Sequence, residues 1–316
     1  AYIENGEDWS LTIPLTNAGG ASATAISAVL TSSTPGVFIL SGASSYADLA
    51  ATVSGNNTTP FVFGVGSTVP CGATLQFTLT VTYTGGPSPK VLAFTLLNGS
   101  PGTPVTFTYA GAAVPIPDGI GALPGAVVSV PLAVAAIPGN VFDVDLRIDG
   151  ATCDTTTGST TVGIDHSWVN DLQISLESPT GTIVMAISNT DGSGNNFCQT
   201  VLDDESAGAS IQSVVTANAP FTGTFTPNAA LSAFDGETAN GTWNLRAQDF
   251  FQFDTGSIRA FSLTITPAIC DAPIAAPVIT ATKAITGRSQ PVEVGVIYTI
   301  PLTNTGTGGQ PDNAGN

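Results

Sequence analysis

Short runs in which apolar and polar residues alternate dominate the first third of the chain. The clearest run spans residues 74–81, and others span residues 9–13, 60–64 and 91–96. Successive side chains of a β-strand point to opposite faces of the sheet, so a period of two indicates strands with one buried face. Gly, Asn, Pro and Ser separate the runs. Short strands with turns at this spacing are typical of an immunoglobulin-like (Ig-like) sandwich, which we predict for residues 1–110.

The pattern continues after a Gly- and Pro-containing junction at residues 100–112. The predicted strands of this second part cover residues 126–134, 141–148, 172–176, 183–187, 242–247 and 261–265. Gly (35 residues) and Pro (22 residues) are common, a composition that suits many short strands joined by tight turns and argues against helical bundles, so the chain is predicted to be all-β.

The end of the chain repeats its beginning. Residues 12–17 and 299–304 both read Thr-Ile-Pro-Leu-Thr-Asn. The proline inside each copy predicts an edge strand or a bulge, because proline cannot donate a hydrogen bond to a sheet. Residues 275–282 form another strand-like run. We therefore predict that residues 271–316 are the first strands of a second Ig-like domain, or a tail that donates a strand.

Composition excludes two classes of partner. Charged residues make up 9% of the 316 residues, and only six residues are basic, which gives a formal net charge of −17. Six basic residues cannot neutralise a row of phosphates, so neither nucleic acid nor an anionic membrane surface is an expected partner. No apolar run is long enough for a transmembrane helix. Because the chain begins at Ala1, we expect a mature or excised piece of an exported protein.

Three motifs in residues 112–267 occur in the order and spacing of one known family. Residues 171–182 read Asp-Leu-Gln-Ile-Ser-Leu-Glu-Ser-Pro-Thr-Gly-Thr. Residues 231–236 and 239–245 give Leu-Ser-Ala-Phe-Asp-Gly and Ala-Asn-Gly-Thr-Trp-Asn-Leu, and residues 249–265 contain Asp-Thr-Gly-Ser-Ile. This segment resembles the P domain (Homo B domain) that follows the catalytic domain of kexin- and furin-like proprotein convertases and many secreted bacterial proteases. The resemblance implies a non-catalytic, extracellular jelly-roll sandwich attached to other domains.

The flanking segments resemble the Ig-like repeats of secreted bacterial proteases and bacterial surface proteins. With the P domain assigned to residues 112–267, Cys153 and Cys198 are the expected disulfide, since both lie inside it. Cys71 and Cys270 then form a second disulfide, or remain two free thiols. The cysteines are far apart in sequence, without any Cys-x-x-Cys pair, so a zinc site is not expected.

Catalysis has few candidate residues. His166 is the single histidine, and no subtilisin-type catalytic motif is present. A Ser-His-Asp triad needs a histidine placed between a serine and a carboxylate, so we interpret His166 as structural and expect no enzymatic activity. Paired carboxylates for glycoside hydrolysis are a weaker alternative, because 23 acidic residues produce close pairs by chance.

Calcium is the one cofactor for which the sequence offers ligands, since it binds carboxylate, amide and carbonyl oxygens. The candidates are Asp191 in a Gly- and Asn-rich loop at residues 191–196, and Asp203 and Asp204 in an acidic run that ends with Glu205. Asp171 and Asp249 are further candidates, with Asp254, at predicted strand ends. The alternative is that these are solvated carboxylates that cap turns.

Aromatic residues suggest one contact surface. Trp243 belongs to a predicted strand and is expected in the core, whereas the Phe-Phe-Gln-Phe run at residues 250–253 lies in a loop. An exposed aromatic cluster marks an interaction site. Trp168 and Phe234 are other members of the aromatic set, and a protein interface is favoured over a glycan site.

Three functions follow from these predictions. The first is a non-catalytic structural or adhesive module of a bacterial secreted or cell-surface protein. The second is a subunit of an extracellular filament, in which a tail strand of one copy completes the sandwich of the next by β-strand donation. The third is the accessory region of a secreted subtilisin-like serine protease. The expected partners are other protein domains or copies of the same chain.

Overall fold

The computed structural model describes residues 2–270, 279–281 and 302–304. The chain divides into two units, Ala1–Cys270 and Asp271–Asn316. Nearly all regular structure in the described residues is β-strand, as the sequence predicts, and the helical segments are short 3-10 turns. In that part of the chain, no helix has both the length and the apolar character needed to cross a bilayer.

The N-terminal sandwich is built from nine strands in two main sheets. One sheet has the strand order β5-β3-β8-β9, the other has the order β1-β7-β4, and β2 pairs with β6. The strands are β1 (Asp8–Leu11), β2 (Leu15–Thr16), β3 (Thr24–Ser32), β4 (Val37–Ser41), β5 (Ala43–Ser45), β6 (Ser54–Gly55), β7 (Phe61–Val65), β8 (Thr74–Thr84) and β9 (Lys90–Leu97).

Alternation along β8 explains why this sandwich forms. Leu75, Phe77 and Leu79 are buried on one face, while the residues between them are more exposed. The ring of Phe77 meets the edge of Phe63 from the opposite sheet, with ring centroids 4.8 Å apart. Burying side chains of this size stabilises the fold by roughly 1.5–3 kcal/mol each. Pro14 interrupts the first edge strand between β1 and β2, as the sequence predicts for a proline at this position.

The second sandwich has its own core. A nine-stranded sheet has the order β10-β22-β14-β18-β15-β21-β12, with β11 also paired to β22 and β19 to β18, and it packs against a four-stranded sheet of order β13-β20-β16-β17. Its strands are β10 (Ser100–Pro101), β11 (Val105–Thr108), β12 (Val114–Ile116), β13 (Val128–Val134), β14 (Val141–Ile148), β15 (Ile164–His166), β16 (Leu172–Glu177), β17 (Ile183–Ser188), β18 (Phe197–Leu202), β19 (Phe221–Phe225), β20 (Gly241–Asp249), β21 (Gly256–Ile258) and β22 (Phe261–Ile269).

Trp243 lies in the centre of this second core, where the sequence predicts it. Its indole is fully buried, meets the ring of Phe234 edge-on at 5.1 Å, and donates its N–H to the carbonyl of Ala239 at 2.9 Å. A buried indole needs such an acceptor, because an unpaired donor in the core is costly.

Four single-turn 3-10 helices lie in the connections between strands: Val169–Asp171, Ile211–Ser213, Thr216–Asn218 and Leu231–Phe234.

Strands β10 and β11 shift the boundary between the two sandwiches. The sequence prediction placed residues 100–110 at the end of the first domain and the junction. In the structure, Ser100 and Pro101 pair with Ile269 and Ala268, and β11 pairs with residues 262–265 of β22. The first sandwich therefore ends near Asn98. The reason is that β22 offers a free edge along which even a Pro-containing segment can place its remaining backbone donors.

A tight joint connects the two sandwiches. The Cys71–Cys270 disulfide crosses it, with Cα atoms 5.7 Å apart, and the Cys153–Cys198 disulfide lies within the second sandwich. Both pairs are those expected from the sequence. Tyr2 meets Phe142 edge-on at 5.7 Å across the same joint. Gly72 has a φ of +75°, and a Cβ placed on it would lie 2.6 Å from the Cβ of Asn140.

The second unit is described at two short strands. β23 (Ile279–Ala281) pairs antiparallel with β24 (Leu302–Asn304), with Thr280 opposite Thr303. Both strands lie within predicted strand runs. The remainder of those runs, including Pro301, and the rest of the predicted partial Ig-like domain lie outside the described residues.

Gly72→Ala should weaken the joint. The substitution adds backbone strain at positive φ and forces the new Cβ against Asn140 and Ala268, so we expect the free energy of unfolding to fall by about 2–4 kcal/mol. Gly6→Ala is the matched control, because Gly6 has a φ of +83° with nothing within 4 Å of the added Cβ. It should cost only about 1 kcal/mol. Equal losses in denaturant titrations would contradict close packing at the joint.

Candidate functional site

His166 joins two loops at the end of the second sandwich farthest from the joint. Its side chain is buried, with Nε2 3.1 Å from Oδ2 of Asp249 and Nδ1 2.9 Å from the carbonyl oxygen of Trp168. The neighbouring hydroxyl of Ser167 donates to Asp254 at 2.6 Å. The ring therefore contacts a carboxylate and a carbonyl, and no serine hydroxyl bonds to it in the described part of the chain. This arrangement ties the loop after β15 to the end of β20.

Four carboxylates surround this point and form what we call the loop-end cluster: Asp118, Asp171, Asp249 and Asp254. The pairing of β16 with β20 brings two of them together. Leu172 lies opposite Asp249 in this pairing, and Asp171 is the residue before Leu172. Asp171 and Asp249 are buried, 5% and 0% exposed. Burial raises the pKa of Asp171 to about 6, helped by the charges of Asp249 and Asp254 and opposed by His166.

Hydrogen bonds offset part of this cost at Asp249. Burial raises the pKa of Asp249, whereas the backbone N–H of Phe251 and the His166 ring lower it. The N–H of Phe251 donates to Oδ1 of Asp249 at 3.0 Å. At Asp118, Oδ2 accepts from the N–H of Phe253, while Oδ1 is buried without a hydrogen-bond partner. The cluster is thus a desolvated group of acids that one histidine partly compensates.

A second group of acids lies nearer the joint, and we call it the strand cluster: Asp143, Asp145, Asp203, Asp204, Glu205 and Asp235. Asp143 and Asp145 point to the same side of β14, because they are two residues apart. Leu146 lies opposite Leu202, so the antiparallel pairing brings residues 203–205 alongside them. Asp204 caps the Leu231–Phe234 turn by accepting from the N–H groups of Leu231 and Ser232.

Two members of the strand cluster have pKa values close to neutral pH. Burial raises the pKa of Asp145 to about 7, and the charges of Asp143, Asp203, Glu205 and Asp204 add to the effect. Burial likewise raises the pKa of Asp235 to about 7, with further contributions from the same group of neighbours. One carboxylate oxygen of Asp235 is buried without a partner. Protonation relieves the repulsion between like charges that share a site of low polarity.

The structure distributes the predicted calcium ligands over three places. Asp171 and Asp249 meet in the loop-end cluster, and Asp203 and Asp204 lie in the strand cluster. Asp191 lies in neither and is exposed. Its loop has a structural task, since Asn195 and Asn196 donate to carbonyls of residues 154–156. Among the residues described, no three His, Cys, Asp or Glu side chains are arranged to hold a metal ion. Calcium binding stays a prediction.

Sequence reasoning missed Asp118, Asp143, Asp145 and Asp235. The Asp-Val-Asp pattern at residues 143–145 indicates two carboxylates on one face of a strand. That pattern identifies Asp143 and Asp145 as a pair. The acids that join them at residues 203–205 are brought alongside only by the register between β14 and β18. Asp235 joins because the Leu231–Phe234 turn ends beside the start of β14.

Exposed apolar side chains surround the loop-end cluster. The exposed fractions are 80% for Ile120, 70% for Leu123, 46% for Trp168, 58% for Phe251 and 83% for Phe253. Hydrogen bonds hold their loops together, since the N–H of Gly119 donates to the carbonyl of Phe251 and that of Phe253 donates to Asp118. We call these five residues the loop surface. It includes Phe251 and Phe253, two members of the phenylalanine run in which the sequence suggests an exposed contact.

The strand cluster makes stability depend on pH in a definite direction. A carboxyl whose pKa rises from 3.8 to about 7 on folding binds its proton more tightly in the folded chain. Its contribution favours folding below about pH 4 and is lost as pH rises through about 7. Asp145→Asn and Asp235→Asn should therefore each raise the unfolding free energy by roughly 1–2 kcal/mol at about pH 8, and by less at about pH 5.

Denaturant titrations at both pH values provide the measurement. Asp191→Asn serves as the matched control, because it removes the same charge outside both clusters and should change stability little. A loss of stability at high pH in the two cluster variants would show that their carboxylates are favourably bound as anions.

Comparison with known protein families finds a match for the second sandwich. Its residues 156–265 match the family model described as the proprotein convertase P-domain. No curated protein matches the chain. A solved structure of infectious bursal disease virus, Gx strain, is 10% identical, covers 84% of this chain and 71% of its own, and has a TM-score of 0.24.

Another solved structure, described as BspA_C_WT, is 9% identical, covers 89% of both chains and has a TM-score of 0.15. These scores are too low to carry any argument about fold or function. The family match covers the motifs at residues 171–182, 231–245 and 249–265 and the histidine beside them. The chain therefore contains a proprotein convertase P-domain.

Proposed function

We propose that this chain is a non-catalytic structural module of a bacterial secreted or cell-surface protein. The observation that carries the proposal is the joint between the first sandwich and the P-domain. The pairing of β10 with the end of β22, the Cys71–Cys270 disulfide and the packing of Gly72 on Asn140 act at one place. A linker that only tethers two domains needs none of these contacts, whereas a module that holds a fixed length and orientation does.

The chemistry of the chain supports an extracellular location. P-domains are non-catalytic accessory domains of proteases, and both disulfides are of a kind that persists in oxidising compartments. A strongly acidic surface with few basic residues keeps such a protein soluble and discourages self-association through the surface at large.

The loop surface favours a second candidate, in which the P-domain docks another protein domain. Five large apolar side chains are exposed together at the end of β20 opposite the joint. Patches of this kind mark protein interfaces. A secreted protease domain encoded by the same gene would be one such partner, and another surface protein would make the module adhesive.

Location and activity can be tested together. Antibodies against residues 2–270 should label intact cells of the source organism, as exported proteins do, and a cytoplasmic marker in the same cells should be labelled only after lysis. The purified chain should not hydrolyse casein or dibasic peptides faster than the His166→Ala variant. Labelling only after lysis, or hydrolysis that the substitution abolishes, would overturn the proposal.

A further inference from the structure

An apolar groove opens at one end of the first sandwich, away from the joint. Its volume is about 480 Å³, and its lining includes Leu15, Asn17, Ile26, Leu49, Val81 and Leu92. Ile26, Leu49 and Val81 belong to the buried core, so the groove exposes the interior of the sandwich from the side. Leu92 on the edge strand β9 is 44% exposed, although the alternation along β9 directs it inward with Phe94 and Leu96.

The groove is bordered by a strand edge that is unpaired within the described residues. β2 pairs with β6 through Leu15 opposite Gly55 and Thr16 opposite Ser54. In the part of the chain that the structure describes, no strand pairs with the other edge of β2. Unpaired edges beside an apolar opening are the usual acceptors for an added strand.

The internal repeat identifies what fits beside β2. Residues 12–17 and 299–304 are identical in sequence. In the second copy, Leu302–Asn304 pairs antiparallel with Ile279–Ala281, with Thr280 opposite Thr303. Thr303 corresponds to Thr16. Because β6 already occupies one edge of β2, a strand with the sequence of β23 would take the other edge, with Thr280 opposite Thr16.

We propose that the groove of one copy receives the β23 segment of a second copy. The added strand would run antiparallel to β2 and cover Leu15, Val81 and Leu92 with Ile279 and Ala281, which lie on the face opposite Thr280. The described part of each chain offers this groove and this donor segment once, so donation from chain to chain is head-to-tail and builds an open assembly unless two copies exchange their segments reciprocally. This inference goes beyond the proposed structural role and does not depend on the P-domain surface.

Reach favours a donor from another chain. Cys270 is fixed beside Cys71 at the base of β8, whereas the groove lies at the far end of that strand. Thr74–Thr84 is 11 residues long, a rise of about 33 Å. The nine steps from residue 270 to residue 279 span at most about 32 Å when fully extended. An antiparallel strand must also enter at the far end and turn back, which leaves no length to spare.

Charge also favours association. Residues 272–291 contain Lys283 and Arg288 and no acidic residue, in a chain whose net charge is −17. The donor segment is therefore the part of the chain that is attracted to the body of another copy, while the rest of the two surfaces repel each other. The lining of the groove itself includes Lys90 and no acidic residue, so this attraction acts between whole chains and does not position the strand in the groove.

Paired cysteine variants test the register directly. All four native cysteines are in disulfides, so an introduced cysteine supplies the one free thiol. Chains with Thr16→Cys, whose side chain is exposed, are mixed with chains carrying Thr280→Cys and oxidised gently. We expect a covalent heterodimer on non-reducing gels, because directly opposed strand residues lie within disulfide range. The matched control is Thr282→Cys, two residues out of register, which should give about ten-fold less product.

Two further variants give every outcome a meaning. Leu92→Lys places a charge in the groove at a partly exposed position and should abolish the Thr16–Thr280 product while leaving thermal stability nearly unchanged. A chain carrying both Thr16→Cys and Thr280→Cys should form covalent oligomers. A covalent monomer from that chain would show that the donor is its own tail. Equal yields from the Thr280 and Thr282 variants, or no product at all, would overturn the proposal.

Discussion

Pairing along both edges of β22 is the interaction on which the rest of the molecule depends. One edge of Phe261–Ile269 pairs with β14 inside the P-domain, and the other pairs with β11 and then β10. The next residue, Cys270, is covalently bound to the first sandwich. A single strand therefore contributes to the P-domain core and fixes the neighbouring sandwich, which explains why two separate hydrophobic cores behave as one compact unit.

Alternation of apolar and polar residues was sufficient to predict a strand where that strand buries one face. Residues 141–148 were predicted as a strand and form β14, and the alternation of residues 74–81 marks the centre of β8. β18 was missed because its residue types do not follow its burial: the buried Thr200 is polar, whereas the more exposed Val201 is apolar, so the sequence has no period of two. β10 and β11 were missed because their pairing depends on an edge that β22 offers from 160 or so residues away, and no local rule describes such an edge.

The acidic clusters show a different limit. The P-domain motifs place Asp171 and Asp249 at strand ends, so their meeting could be anticipated from the family pattern. The strand cluster could not, because it unites β14, the loop after β18 and the turn at Leu231–Phe234, which are brought together only by register. The six carboxylates have no basic partner among them and repel one another. Burial, together with this repulsion, raises the pKa of Asp145 and of Asp235 to about 7, so both bind a proton far more readily than an exposed carboxyl does.

The Cys71–Cys270 disulfide also determines how tension would pass through the molecule. A force that pulls residue 2 away from the residues that follow Cys270 is transmitted through the first 71 residues, crosses the disulfide and leaves at Cys270. The whole P-domain lies inside the loop that this bond closes, with a sequence separation of 199, and is carried without load. Only the strands before Cys71 can be extracted while the bond is intact. The P-domain would then keep its shape, and its exposed loop surface, on a chain that is being stretched.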